Sequence, residues 1–325
     1  MLRAAARSLA WTSLAVCLAC GDPEAMTTTD VGETAASTSD ATTPGTSDTS
    51  DCDRAPCPCA AACTERGVIL PVDELAPLVA DALPGLRVLD LRDASAYEAG
   101  HVPGAVRFDP ASLRTTVDDV PGQVVDPATF AAAMAAVGVA PGDTVVAVDD
   151  GEGLQPARVV WTLRYHGHAT SHVLDGGWPA WSAAGLTEET GPNTPSPASY
   201  PPPAVVPALR VDAAWIADHL DDPKVRLVDA RAPAEFDPGH IPGALSLPWD
   251  QTKAADGRFL AVDQLAALYQ GVGALPSETV VAYCQTGTRA SVTWLTLVAA
   301  GQADARLYDG SWAEWSADPE LPKEP

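Results

Sequence analysis

The stretch VVAYCQTGTRAS, residues 280–291, sets one cysteine, Cys284, between an apolar run and a short polar loop that closes on Arg289. A cysteine in that place can serve as a nucleophile, a metal ligand or a small core side chain. The loop Gln285, Thr286, Gly287, Thr288, Arg289 runs from a predicted strand into a helix expected to begin near Ala290. In a parallel sheet, ligands bind beyond the carboxyl ends of the strands. There the backbone N–H groups of the loop can converge on the sulfur, Gly287 permits a tight bend, and the positive end of the helix favours the thiolate. A purely structural cysteine needs none of these features.

The elements that must position this loop occur twice. LRVLDLRDASAYEAGHVPGAVRFD at 86–109 lines up without gaps with VRLVDARAPAEFDPGHIPGALSLP at 225–248, so that Asp90, His101, Pro103 and Gly104 match Asp229, His240, Pro242 and Gly243. TVVAVD at 144–149 matches TVVAYC at 279–284, and LDGGWPAW at 174–181 matches YDGSWAEW at 308–315. This is a duplication on the scale of a domain. Asp149 stands where the repeat would place a second cysteine, and DDGEGLQPAR replaces the compact loop.

Within the second copy VRLVDA, ALSLP, ETVVAYC and ARLYD read as strands, while VDQLAALYQGVG, RASVTWLTLVAAG and SWAEWSA read as helices. Alternation of this kind, with nearly continuous apolar strands, predicts an α/β fold with a parallel sheet covered on both faces. Between the copies, the prolines of residues 187–208 predict an extended linker.

The order of motifs is D-x-R after the first strand, GHIPGA, a strand entering C-x-x-G-x-R, and DGSWAEW at the end. It resembles the rhodanese family in its tandem, two-domain form, over roughly residues 67–325. The resemblance implies two domains, each with a central parallel sheet, of which the C-terminal one alone keeps the reactive cysteine. It also implies sulfurtransferase activity: Cys284 takes the outer sulfur of an anionic donor such as thiosulfate as a persulfide and passes it to cyanide or a thiol. No cofactor is needed for that reaction, and no dinucleotide motif, P-loop or metal cluster stands out in the sequence.

Arg289 and Arg231, the arginine of D-x-R, are the candidates for the positive field, although Arg289 could instead pair with Asp229 or Glu235. Gln285 and Thr286 match neither the basic residues of thiosulfate-preferring members nor the Gly-Ser of those that prefer 3-mercaptopyruvate. The arginine-bearing segment that many members insert before GHIPGA is absent, which weakens the mercaptopyruvate reading. Two alternatives stay open. One is a persulfide carrier or binding module without turnover. The other is the phosphatase or arsenate reductase chemistry of the same fold, which uses Cys-x5-Arg, whereas this loop is Cys-x4-Arg, one residue shorter.

His101 and His240 occupy equivalent turns, one of them in the copy without a cysteine, and are read as structural. Asp90 and Asp229 are read as ordering loops, and the tryptophans of GGWPAW and GSWAEW as core. DDGEG at 149–153 lacks the ligand spacing of a calcium loop and is read as a solvated turn.

The whole chain has 325 residues, 46% of them hydrophobic, which suits two folded domains. With 43 acidic and 19 basic residues its formal charge is −24, so nucleic acid and anionic surfaces are repelled and an anionic substrate needs a local basic pocket. Residues 1–20 read as a secretory leader: Arg3 and Arg7 precede an apolar run too short to span a bilayer. CLACGD resembles a bacterial lipobox, with Cys20 as the lipidated residue, although Cys17 stands where leucine is usual. An ordinary cleaved signal peptide or a retained anchor is the alternative.

Residues 21–66 read as a Thr/Ser/Asp-rich disordered tether carrying Cys52, Cys57, Cys59 and Cys63, four residues that can form two disulfides or bind a metal. The expected organisation is therefore a leader at 1–20, a tether at 21–66, an N-terminal domain at 67–186, the linker at 187–208 and a catalytic domain at 209–325. The expected location is the cell envelope or periplasm, anchored to a membrane through lipid.

Overall fold

The structure, a computed structural model, describes residues 67–325. The leader, Cys20, the tether and its cysteine cluster lie outside the described residues.

Runs of Val, Leu and Ile between polar turns form the strands, and Asp residues set where several helices begin. The N-terminal domain contains β1 (Ile69–Leu70), α1 (Val72–Ala80), β2 (Leu86–Asp90), α2 (Ala94–Ala99), β3 (Val106–Arg107), β4 (Arg114–Val117), β5 (Val120–Val124), α3 (Pro127–Ala136), β6 (Thr144–Val148), α4 (Leu154–Tyr165), β7 (Ser171–Leu174) and α5 (Gly177–Ala183). The C-terminal domain contains β8 (Arg210–Val211), α6 (Ala213–His219), β9 (Val225–Asp229), α7 (Pro233–Phe236), β10 (Leu245–Ser246), α8 (Val262–Gly271), β11 (Thr279–Tyr283), α9 (Thr288–Ala299), β12 (Asp304–Tyr308) and α10 (Ser311–Ala317). Asp93, Asp126 and Asp212 cap α2, α3 and α6 by accepting N–H bonds from the first turn.

Each domain holds a five-stranded sheet, β1-β7-β6-β2-β3 in the first and β8-β12-β11-β9-β10 in the second. Every pairing within them is parallel. Read through the repeat the two orders are identical, and the parallel α/β expectation is met. All five residues of β6 are buried, as a central strand covered on both faces requires.

Helices α4 and α9, the ones that follow β6 and β11, pack against each other. Residues 156–163 of α4 and 290–297 of α9 are buried on all sides, the pattern of a helix enclosed by protein. One apolar cluster accordingly runs through both domains and includes Trp161, Leu163, Trp294 and Leu295. The linker is extended, as its prolines predict, but it is packed against the first domain. Tyr200 is buried against Phe130, and the Asn193 amide donates to Ala105 O at 3.0 Å.

One element was not foreseen from sequence. β4 and β5 form an antiparallel hairpin with an irregularity between Thr115 and Thr116, and it reaches the second domain. No helix among the described residues is long and apolar enough to cross a membrane.

Candidate active site

Cys284 follows directly on β11, the strand between β9 and β12, and is 1% exposed. Its N–H donates to Ser311 Oγ at 3.2 Å, and that hydroxyl donates to Tyr308 O at 2.8 Å. The first turn of α10 grips the loop from the same side: Trp312 N–H donates to Cys284 O at 2.9 Å and Ala313 N–H to Gln285 O at 3.0 Å. Ser311 holds this position with φ of 53°, a left-handed conformation uncommon for a residue with a side chain. Gly287 caps α9 and accepts the Ser291 hydroxyl at 2.9 Å. The carbonyls of Cys284, Gln285 and Gly287 are thus occupied, whereas the N–H groups of Gln285, Thr286 and Gly287 find no protein acceptor among the described residues. Such free donors at a helix start form a cradle for an anion.

The N-terminal domain shows the same cradle filled. Asp149 is 6% exposed, and its carboxylate accepts the N–H of Gly151 at 2.9 Å and of Gly153 at 2.7 Å. Burial raises its pKa to about 6, against the two N–H bonds, which lower it. The expected solvated turn is therefore corrected at Asp149, which points inward because the loop N–H groups compensate its desolvation. Gly177 replaces Ser311 in this domain, and a Cβ there would lie 2.5 Å from Asp149 O and 2.9 Å from its Oδ1. The two sites thus differ as matched sets.

Arg289 and Arg231 part company. Arg289 Nη1 and Nη2 donate to the two carboxylate oxygens of Glu235 at 2.6 and 2.8 Å, and its side chain is 25% exposed. Those hydrogen bonds raise the Arg289 pKa, burial opposes them, and the negative charge of a Cys284 thiolate adds to the rise. The same bonds lower Glu235 to about 2.

Arg231, expected to face the donor, is 1% exposed and turned into the scaffold. It forks onto Asp229 with contacts of 2.7 to 3.0 Å, donates to Gly239 O at 2.8 Å and lies 4.7 Å above the Trp312 ring. Arg92 repeats this arrangement with Asp90, Gly100 O and Trp178 in the domain that has no cysteine. A guanidinium two residues from a buried carboxylate is neutralised by it, so Arg231 is corrected from donor contact to structural support.

Of the other loop residues, Gly287 is buried, and Gln285, Thr286 and Thr288 are half-buried. His101 and His240 stack on Tyr97 and Phe236, and each sits in an isolated bridge, to Glu189 and Glu324. Trp181 and Trp315 lie in the core, while Trp178 and Trp312 cover the two arginines.

The remaining wall comes from the other domain. A Cβ on Gly122 of β5, whose φ is 84°, would sit 3.0 Å from Thr286 O. Val124 N–H donates to Asp309 Oδ2 at 2.8 Å, and Arg158 of α4 meets Asp309 Oδ1 at 2.6 Å, with both side chains buried. The Arg158 contact is an ion pair rather than an aligned hydrogen bond, since neither Nη1 nor Oδ1 has a hydrogen-bond partner.

The exchange is mutual. Phe259 N–H of the second domain donates to Asp175 Oδ1 at 2.9 Å, and Lys253 Nζ to Gly151 O at 3.3 Å beside the Asp149 loop. Sequence reasoning missed Ser311, Asp309, Arg158 and the hairpin. For Ser311 a signal existed, the Gly-to-Ser difference between LDGGW and YDGSW.

Comparison with known proteins agrees with this architecture. The model of the rhodanese-like domain matches residues 72–184 and 212–318. The 3-mercaptopyruvate sulfurtransferase of Escherichia coli strain K12 is 32% identical over 267 residues, covering 74% of this chain and 93% of the relative. The thiosulfate sulfurtransferase of Corynebacterium glutamicum is 36% identical over 267 residues, covering 74% and 85%. The crystal structure of SseA from Escherichia coli, described as a 3-mercaptopyruvate sulfotransferase with the rhodanese fold, superposes with a TM-score of 0.68, with 29% identity, covering 76% of this chain and 99% of that one. With both halves matched and Cys284 set after the central strand of the second, the chain belongs to the rhodanese family as a tandem of two rhodanese-like domains.

Proposed function

We propose that this protein is a sulfurtransferase that moves a sulfane sulfur from a small anionic donor, thiosulfate in preference, to a thiophilic acceptor through a persulfide on Cys284. The Cys284 thiolate attacks the outer sulfur of thiosulfate, the S–S bond breaks and sulfite leaves. Cyanide or a thiolate then attacks the outer persulfide sulfur, leaving as thiocyanate or as a new persulfide, and the Cys284 thiolate is restored. The observation that carries this reading is the pair of cradles: the one at Asp149 is filled by a carboxylate, and the one at Cys284 keeps its N–H groups of Gln285, Thr286 and Gly287 free. Free donors around a thiolate are what a persulfide anion needs for stabilisation.

Thiosulfate is favoured over 3-mercaptopyruvate because a carboxylate donor needs a dedicated guanidinium. Arg231 is consumed by Asp229 and Arg289 is paired with Glu235, so neither arginine is left as a dedicated partner for a carboxylate. The N-terminal domain acts as scaffold and as part of the wall. Export, lipidation at Cys20 and tethering through residues 21–66, with domains at 67–186 and 209–325 joined by 187–208, complete the proposal and rest on the sequence. A donor panel of thiosulfate, 3-mercaptopyruvate and an aryl phosphate tests it. Thiocyanate formation from thiosulfate that vanishes in Cys284→Ser is expected; turnover that survives this substitution, or phosphate release, would overturn it.

A further inference from the structure

The Arg289–Glu235 pair is found in one copy of the repeat alone. The scaffold contacts recur in both domains: Asp229 with Arg231 mirrors Asp90 with Arg92, and His240 mirrors His101. At the places of Glu235 and Arg289 the first domain has Ala96 and Gln155. The fold therefore stands without this ion pair, and the pair accompanies the cysteine.

The pair stands beside Cys284, whose thiolate charge acts on Arg289, and it is partly open to solvent. Arg289 spends both terminal nitrogens on the two oxygens of Glu235, the end-on edge with which a guanidinium grips a bidentate anion. Glu235 is 38% exposed and sits on the four-residue helix α7, where its other polar contact is the N–H of Ala232 at 3.2 Å. Displacing it from Arg289 breaks few other contacts. While it stays, an approaching anion meets a neutral pair in a chain of charge −24.

We infer that Glu235 is a specificity-determining residue, whose carboxylate holds the anion-binding edge of Arg289 and discriminates against donors by their negative charge. Every anionic donor must displace this carboxylate or bind against it, and a neutral reagent is not affected. This rests on sulfur transfer at Cys284, but it can be tested without that reaction.

The test is alkylation of Cys284 in the full chain by iodoacetate and by iodoacetamide, reagents that differ in one negative charge, followed by mass spectrometry of the Cys284 peptide. Removing one charge next to the anion site in a partly solvated mouth predicts that Glu235→Gln raises the iodoacetate-to-iodoacetamide rate ratio roughly three- to sevenfold. Glu235→Ala, which installs the residue of the first domain, raises it as well, and Glu235→Asp keeps it near wild type. In turnover, the KM for thiosulfate falls by a similar factor in Glu235→Gln with little change in kcat. A ratio that is unchanged or lower in both Glu235→Gln and Glu235→Ala overturns the inference, because Glu235 would then merely position Arg289. If the wild-type chain fails to turn over thiosulfate, the proposed function falls, and the alkylation ratio still decides the role of Glu235.

Discussion

Arg158→Met removes one partner of the buried pair that ties the first domain to the turn below Cys284. The side chains of Arg158 and Asp309 are 1% and 0% exposed and meet at 2.6 Å. Breaking such a pair from one side leaves an uncompensated buried charge and costs about 3–5 kcal/mol. Two contacts set where in that range the loss falls. Arg210 Nε, 3.7 Å from Asp309 Oδ2, still shares the charge, and Val124 N–H still donates to the same oxygen, so the lower end, about 3 kcal/mol, is expected. At roughly 2–4 °C per kcal/mol for a body of this size, the melting temperature drops by about 6–12 °C. A thermal melt and a urea titration of wild type, Arg158→Met, Asp309→Asn and the double variant measure it. Asn retains an acceptor for Val124, so the double variant removes the charge pair while keeping that bond. It should lose less than the sum of the singles by about 2 kcal/mol. A loss under about 1 kcal/mol in Arg158→Met, the size of a surface ion pair, or additivity within about 0.5 kcal/mol, would refute the reasoning.

Gly122→Val places a branched side chain at φ of 84° with its Cβ 3.0 Å from Thr286 O, so the hairpin must shift against the sulfur loop. The left-handed backbone costs about 1–2 kcal/mol, and kcat/KM with thiosulfate should fall about tenfold or more through displacement of the loop. Thermal melts and turnover on the same preparation check this, and unchanged turnover would remove the hairpin from the site.

Asp149 has its folded-state pKa raised from 3.8 to about 6. The folded state therefore holds a proton that the unfolded state has lost between those values, and stability from this group falls as pH rises from about 4 to 6, by about 3 kcal/mol. His166 and His168, whose pKa burial lowers, act in the opposite direction, losing stability as pH falls below the usual histidine range. The difference between wild type and Asp149→Asn isolates the carboxylate. Urea midpoints from pH 4 to 7 should show that falling component in wild type and not in the variant; parallel curves would contradict the assignment.

The alternation of apolar strands and helices was readable because parallel strands covered on both faces leave a continuous apolar run, as in residues 144–148. The cysteine loop was readable because its residue types are demanding locally: a strand end, a glycine cap and a helix start. The misreading of Arg231 has a physical origin in the D-x-R spacing, which sets a guanidinium beside its own strand-end carboxylate. Its presence in the copy without a cysteine carried that information, as it did for His101. Comparing the copies separates scaffold from site: residues shared by both hold the fold, and those that differ, Asp149 against Cys284, Gly177 against Ser311 and Gln155 against Arg289, gather at the two loops.

The interdomain clasp was beyond local patterns. Val124 and Asp309 are 185 positions apart, and nothing in the hairpin sequence shows that its N–H groups are turned toward another domain. The extra residue between Asp149 and Gly153 was visible, but its consequence, a carboxylate folded back into its own cradle, depends on burial that sequence does not display.

The most direct measurement is the mass of the Cys284 peptide from intact protein incubated with thiosulfate and no acceptor, read again after cyanide is added. One added sulfur, about 32 Da, is expected on Cys284, and it disappears with release of thiocyanate as cyanide attacks the persulfide. An unmodified Cys284 in protein that still forms thiocyanate would contradict it.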